Sequence, residues 1–233
     1  MALPKLNTPQ YQLELPSTGG KIKFRPFLVK EQKLLMMAQE SEDDDQISQA
    51  VITIIDSCTE GLVAEELPIF DVEYVFLQLR SKSVGETAKV LITCPDDGET
   101  QVDVTLKLDE IAVHMTADHS NEVNLTDKVK MVMKYPKMSD MKGIDISGGI
   151  DGTFGLISRC VTEIRDGDVV HNRVDMTDKD LNDFIDTLDS QQFESVMEFF
   201  NSMPKLRHAI TVTNPKTKKK GEVMLEGLDS FLG

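Results

Sequence analysis

Lys89-Val90-Leu91-Ile92-Thr93-Cys94-Pro95-Asp96-Asp97-Gly98-Glu99-Thr100-Gln101-Val102-Asp103-Val104-Thr105-Leu106-Lys107-Leu108 sets the fold class of this chain. The arm from Gln101 to Leu108 alternates polar and apolar residues, the period of a strand with one buried face, and the arm ending in Cys94 is rich in side chains that favour strands. Between them stand Pro95, Asp96, Asp97 and Gly98, residue types that a tight reversal selects. Strands joined by so short a loop run antiparallel, because a parallel pair needs a crossover of roughly a dozen residues. The segment is read as a β-hairpin.

Toward the N-terminus the period changes. Val72, Val75, Phe76 and Leu79 form one apolar stripe, predicting a helix over Asp71–Ser83 with Asp71 as N-cap and Gly85 as its stop. Ile47, Ala50, Val51, Ile54 and Ile55 predict another, opened by the acidic run Glu40-Ser41-Glu42-Asp43-Asp44-Asp45, whose carboxylates favour a helix N-terminus. A third covers Val29 to Ala38. Before it, Tyr11–Leu15 and Lys21–Phe24 alternate around Pro16-Ser17-Thr18-Gly19-Gly20, a second hairpin.

Toward the C-terminus, Val123 to Tyr135 reads as one strand stopped by Pro136, followed by a glycine-containing connection over Met138–Gly152. Phe154 to Ile164 reads as a helix, with Leu156, Ile157, Cys160, Val161 and Ile164 on one face. Val169-Val170 is a short strand, and Thr177–Leu188 and Ser190–Ser202 are consecutive helices, with Ser190 as N-cap of the second. His208–Thr213 and Glu222–Glu226 form a third hairpin around Asn214–Gly221. The class is α+β, with hairpins and helix pairs in small mixed or antiparallel sheets. The expected organisation is residues 1–86 as hairpin plus helices, 87–125 as a strand-rich insertion, and 126–233 as a helical section with the terminal hairpin.

The charge narrows the function. Forty acidic against 25 basic residues give −15 over 233 residues, which disfavours nucleic acid and anionic membrane surfaces because both are polyanions. No apolar run approaches the ~20 residues of a membrane span, and Met1-Ala2-Leu3-Pro4-Lys5-Leu6 lacks the features of a signal peptide. Cys58, Cys94 and Cys160 are too few and too scattered for a disulfide framework or a CxxC hook, and read as buried hydrophobes.

Catalytic constellations are missing. Glu42/Asp45 and Asp96/Asp97 are carboxylate pairs that an acidic chain produces by abundance, and Asp43-Asp44-Asp45 lacks the spacing of a calcium loop. His114, His119, His171 and His208 contain no HxxxH or HExxH pair, and zinc held by His119 and Cys94 lacks two further ligands. Ser147-Gly148-Gly149-Ile150-Asp151-Gly152 matches neither GxGxxG nor a P-loop, so it reads as a turn. No cofactor is indicated.

Two features remain as partner-binding candidates. Lys216, Lys218, Lys219 and Lys220 concentrate positive charge on the last hairpin, where they either keep strand edges from pairing or dock an acidic protein. Leu228, Phe231 and Leu232, on the closing segment, either cap the chain's own core or insert into a neighbour. Twelve methionines, among them Met36, Met37, Met131, Met133, Met138 and Met141, fit an adaptable contact surface as well as core filling.

Three stretches carry a resemblance. They are Leu13–Phe27 running into Lys30–Leu35, then Leu67-Pro68-Ile69-Phe70 through to Glu86, and Phe199–His208 continuing to Asn214-Pro215, Gly227-Leu228 and Phe231. In this order they resemble the baseplate hub proteins and hub assembly factors of T4-type contractile-tailed phages. The resemblance implies a noncatalytic structural or assembly protein of the tail, whose partners are other baseplate hub and tail proteins. It implies a place in the host cytoplasm during assembly and in the virion afterwards, and it leaves self-association into a homo-oligomer open. A transient assembly chaperone absent from the finished virion is one alternative. A small metal-dependent hydrolase using scattered carboxylates with His119 or His171 is another. The family pattern, in which the strand ending at Cys94 leads into a cysteine-bearing loop, is not met here, so no metal site is carried over.

Overall fold

The computed structural model describes residues 7–144 and 149–232, so the Met1–Leu6 start and the Ser147-Gly148 part of the glycine-rich turn lie outside the described residues. Contacts divide the chain into two units, Met1–His114 with Lys205–Gly233, and Met115–Pro204. The first opens with β1 (Tyr11–Glu14), β2 (Lys21–Phe24), α1 (Val29–Glu40), α2 (Asp44–Cys58), α3 (Ile69–Ser83), β3 (Thr87–Thr93), β4 (Gln101–Lys107) and β5 (Ala112–His114). The second holds β6 (Glu122–Asn124), β7 (Val129–Met133), α4 (Met138–Met141), α5 (Ile150–Cys160), β8 (Val161–Asp166), β9 (Val169–Asn172), α6 (Asp178–Ile185) and α7 (Ser190–Ser202). The chain then returns to the first with β10 (Lys205–Thr213), β11 (Lys220–Glu226) and α8 (Asp229–Leu232). Every strand pair is antiparallel and the sheets are small, so the class is α+β. The sequence reading set its boundaries near 86 and 125, whereas the contacts change hands at His114/Met115 and Pro204/Lys205. The cause is β5, which pairs through Leu206↔Val113 with a strand more than ninety residues later and so ties the end of the chain to its first half.

In unit 1, Asp43 caps α2 by accepting the N–H groups of Asp45 at 3.0 Å and Gln46 at 3.2 Å, and Asp44 and Asp45 occupy the first turn. The inner stripe Ala50, Val51, Ile54, Ile55 and Cys58 is buried as its spacing requires. Asp71 is not the cap expected from sequence. The helix starts two residues earlier behind Pro68, and the fully buried Asp71 carboxylate accepts the Ser17 N–H at 3.1 Å and its hydroxyl. It therefore anchors the β1–β2 turn to α3. Alternation in β3 is complete, with Ala88, Val90 and Ile92 buried and their neighbours exposed. These residues share one core with Leu106, Leu108, Ile111, Leu206, Val212, Leu225, Phe231 and Leu77 of α3. The β3–β4 hairpin, the β11-β10-β5 sheet and α3 thus pack through their apolar faces.

Unit 2 packs the sheet β6-β7-β8-β9 with α5, α6 and α7 around Met131, Met133, Ile157, Cys160, Ile164, Leu181, Val196 and Phe199. Three expectations are corrected here. The strand read over Val123–Tyr135 is two strands, because Thr126 closes a turn whose hydroxyl accepts the Val129 N–H at 2.9 Å. The helix read to Ile164 ends at Cys160, and Val161–Asp166 is a strand. Its β-branched side chains favour that conformation, and a bulge opposite Val132 and Met133 lets Val161 and Ile164, three residues apart, face the same core. The cap of α7 is Asp189, which accepts the N–H groups of Gln191 and Gln192, both at 2.9 Å, and not Ser190.

Candidate partner-binding surface

The third hairpin ends in a turn shaped by one side chain. Asn214 is 1% exposed, and its carbonyl oxygen accepts the N–H groups of Lys216 at 2.8 Å and Thr217 at 3.2 Å, which folds the turn back on itself. Its amide nitrogen donates to Asp96 at 2.9 Å and Asp97 at 2.8 Å, across to the loop between β3 and β4. The Thr217 hydroxyl donates to Asp96 as well. Every hydrogen-bonding capacity of this buried amide is used, the condition under which a buried polar group stabilises.

The two tips also touch through carbon. A Cβ added at Gly221 would lie 2.4 Å from the Pro95 Cγ. In an ordinary strand Ala is favoured over Gly by roughly 0.5–1 kcal/mol. Here the sign reverses: Gly221→Ala is expected to cost about 1–3 kcal/mol through overpacking against a rigid ring, read as a lowered urea midpoint.

Hydrogen bonding lowers the pKa of both aspartates. Asp97 is held well below the usual range, first by the Thr100 hydroxyl, then by the Thr100 N–H, the Asn214 amide and the Glu99 N–H. Asp96 is lowered by Thr217 and Asn214. A carboxylate with a depressed folded value stabilises in full above the ordinary value of 3.8 and loses that contribution as the pH falls through the depressed one. The Asn214 side-chain amide resonances are therefore expected to stay unchanged from neutral pH down to about pH 4 and to shift only below it, as an NMR titration will record.

On this fixed base Lys216, Lys218, Lys219 and Lys220 are all exposed. Among the described residues none of their ammonium groups has an ion-pair partner, whereas Lys82, Lys107, Lys130, Lys134, Lys179 and Lys205 are each paired within the chain. Lys218 has φ +63°, a left-handed conformation that side chains other than glycine and asparagine seldom adopt. Relief of that strain offsets the entropy of a glycine, so Lys218→Gly is expected to leave stability within about 1 kcal/mol of wild type. Thermal unfolding checks this.

The closing segment answers its two sequence alternatives unequally. Phe231 is fully buried in the core of unit 1 and Leu228 is partly buried against the same core, with its N–H donating to Glu73 at 3.2 Å. Phe231 thus caps the chain's own core; the Leu232 side chain lies outside the described ones. The lysines and the capping residues are therefore separate features, one on the hairpin tip and one inside. Sequence reading missed Pro95, Asp96, Asp97, Asn214 and Gly221 as parts of the tip. Their turn-forming character is visible, but their pairing across more than a hundred residues is not.

The groups named for chemistry lie apart. Burial is the main cause raising the thiols of Cys58, to about 11, and Cys160, to about 12. Cys94 is buried behind its hairpin loop, and Asp96 and Asp97 add to the rise in its thiol. His119 belongs to unit 2, stacked on Tyr135 with centroids 5.5 Å apart and tilted against Phe199 at 5.2 Å. Its Nδ1 lies 3.0 Å from the Ser202 hydroxyl. A cavity of about 560 Å³ beside α5 and α6 is lined by Asp151, Ser158, Arg159, Arg173 and Asp178. Arg159 is spent on the carbonyls of Asp140 and Lys142, both at 2.7 Å, and Arg173 on Asp178. Among the described residues no group of three or more His, Cys, Asp or Glu could hold a metal ion, and no helix is long and apolar enough to cross a membrane.

Residues 8–233 match the family model described as T4 bacteriophage base plate protein. The chain belongs to that family, and is a structural component of the phage baseplate that contacts other baseplate or tail proteins. Comparison with the curated proteins and with the solved structures found no match.

Proposed function

We propose that the chain is a noncatalytic subunit of the baseplate hub, built in the host cytoplasm through protein–protein contacts and carried in the finished virion. The observation that supports this reading is the lysine tip: four cations without an ion-pair partner among the described residues, held on a turn that Asn214 fixes, on a chain of net charge −15. The excess acid keeps free copies apart, and the tip gathers four cations in one place on a chain of opposite net charge. An acidic face on a hub or tail protein is its complement.

Affinity capture of the tagged chain from infected cells, paired with mass spectrometry of purified virions, tests the reading. Hub proteins should co-purify, and the chain should be present in particles at a fixed ratio to them. Capture of hub proteins together with absence from particles would instead define a transient assembly chaperone. Bound metal by elemental analysis, with hydrolytic turnover and no captured tail protein, would define an enzyme.

A further inference from the structure

Unit 2 ends its sheet on an open edge. In the order β6-β7-β8-β9, the strand β9 has a neighbour on one side only, and all four of its residues are exposed. The turn that launches it places Gly167, φ +58°, at the first central position of a two-residue loop, where glycine is needed. Asp166↔Val169 and Ile164↔His171 are paired across the hairpin. In this alternation Val169 and His171 bond to β8, while Val170 and Asn172 turn their N–H and C=O groups outward. Edges of this kind are usually blunted by lysine or proline. This one carries Val169 and Val170, 55% and 47% exposed, followed by Val174 at 90%.

A cavity of about 290 Å³ adjoins the same edge, walled by Ile164, His171, Met176 and Phe184 together with the carboxylate residues Asp166 and Asp180. Asp166 and Asp180 are exposed at its wall, and Asp168 in the turn before β9 and Asp175 in the segment after it are exposed as well. Most of the nearby cations are already committed, Arg165 to Glu122 and Glu163, Arg173 to Asp178, and Lys179 to Asp183, and the exposed Lys128, whose carbonyl accepts the Gly167 N–H at 2.9 Å, leaves the aspartates in the majority. Asp180 is kept ionised by the hydroxyl and N–H of Thr177.

We infer that β9 is a strand-addition site for an extended segment of a partner protein that alternates apolar with Lys or Arg side chains. Main-chain hydrogen bonds to Val170 and Asn172 supply the affinity, one apolar side chain enters the cavity beside His171 and Phe184, and the basic side chains meet the surrounding aspartates. A second copy of this chain fits poorly, because edge-to-edge pairing would set two acidic rims against each other. The inference extends the assembly reading to a second surface and takes from it only that the partner is a protein. Failure at β9 would leave the lysine tip untouched.

The probe is a capped peptide, Lys-Val-Lys-Leu-Lys-Val, compared with a twin N-methylated at alternate residues, which keeps the charge and removes strand pairing. On the full chain, the first peptide is expected to slow amide exchange at Val170 and Asn172 at least tenfold, and the twin to have no effect. Val170→Pro, a substitution that an edge strand accepts where the N–H faces solvent, should abolish binding. Equal binding of both peptides, protection elsewhere, or no protection at millimolar peptide would overturn the inference. So would concentration-dependent dimerisation without peptide that Val170→Pro removes, since a second copy would then own the edge.

Discussion

Phe231→Ala is expected to destabilise unit 1 by about 3–5 kcal/mol, a large share of the ~5–15 kcal/mol that holds a domain folded. Phe231 has no exposed surface and packs with Leu77, Ile111, Leu206 and Leu225. The helix α8 that carries it has four residues, too few to be stable by itself. Its position follows from the buried ring, the Phe231 N–H donating to the Leu228 carbonyl at 2.9 Å and the Leu228 N–H held by Glu73. Urea denaturation gives the magnitude. Phe231→Leu, expected to cost under ~1.5 kcal/mol, keeps the comparison readable if the Ala variant does not fold. A cost below ~1 kcal/mol with loss of partner capture would mean that this ring serves a neighbour and not its own core.

Reversal of Lys216, Lys218, Lys219 and Lys220 to Glu is expected to have the opposite profile. All four side chains are exposed and none has an ion-pair partner among the described residues, so at ~0.5 kcal/mol for each surface substitution stability should move by no more than ~2 kcal/mol. Capture of baseplate proteins from infected cells should fall at least ~100-fold, because attraction becomes repulsion at each site and steering toward an acidic face is lost. Wild-type capture should weaken as salt is raised, since the Debye length shrinks to about 3 Å at 1 M. Unchanged capture by the folded variant would show that the lysines only shield the hairpin edges.

Local chemistry explains which elements could be read from the chain. Ala88, Val90 and Ile92 alternate because one face of β3 is buried, and α2 begins where Asp43 can take two backbone N–H groups. Those signals lie within a few residues. The misreadings arose where a local pattern serves two structures: Cys160, Val161 and Ile164 fit a helical stripe, yet the chain changes from helix to strand between the first two. Asp71 has the residue type of a cap and spends its carboxylate on Ser17 instead. Long-range pairings were invisible. Nothing near Ala112 announces its partner Arg207, and nothing near Asn214 announces Asp96. For the candidate surface, the lysine cluster is plain in the sequence, while the clasp that holds it and the burial of Phe231 come from contacts across the fold.

The most direct measurement places a photo-cross-linking residue at Lys218 and irradiates assembled tails. The expected product joins position 218 to an acidic segment of another baseplate or tail protein, and the same residue placed at the exposed Lys33 of α1 gives no such product. A chain that is present in the tail but yields no cross-link from position 218 would contradict the assignment of the tip as the contact that holds it there.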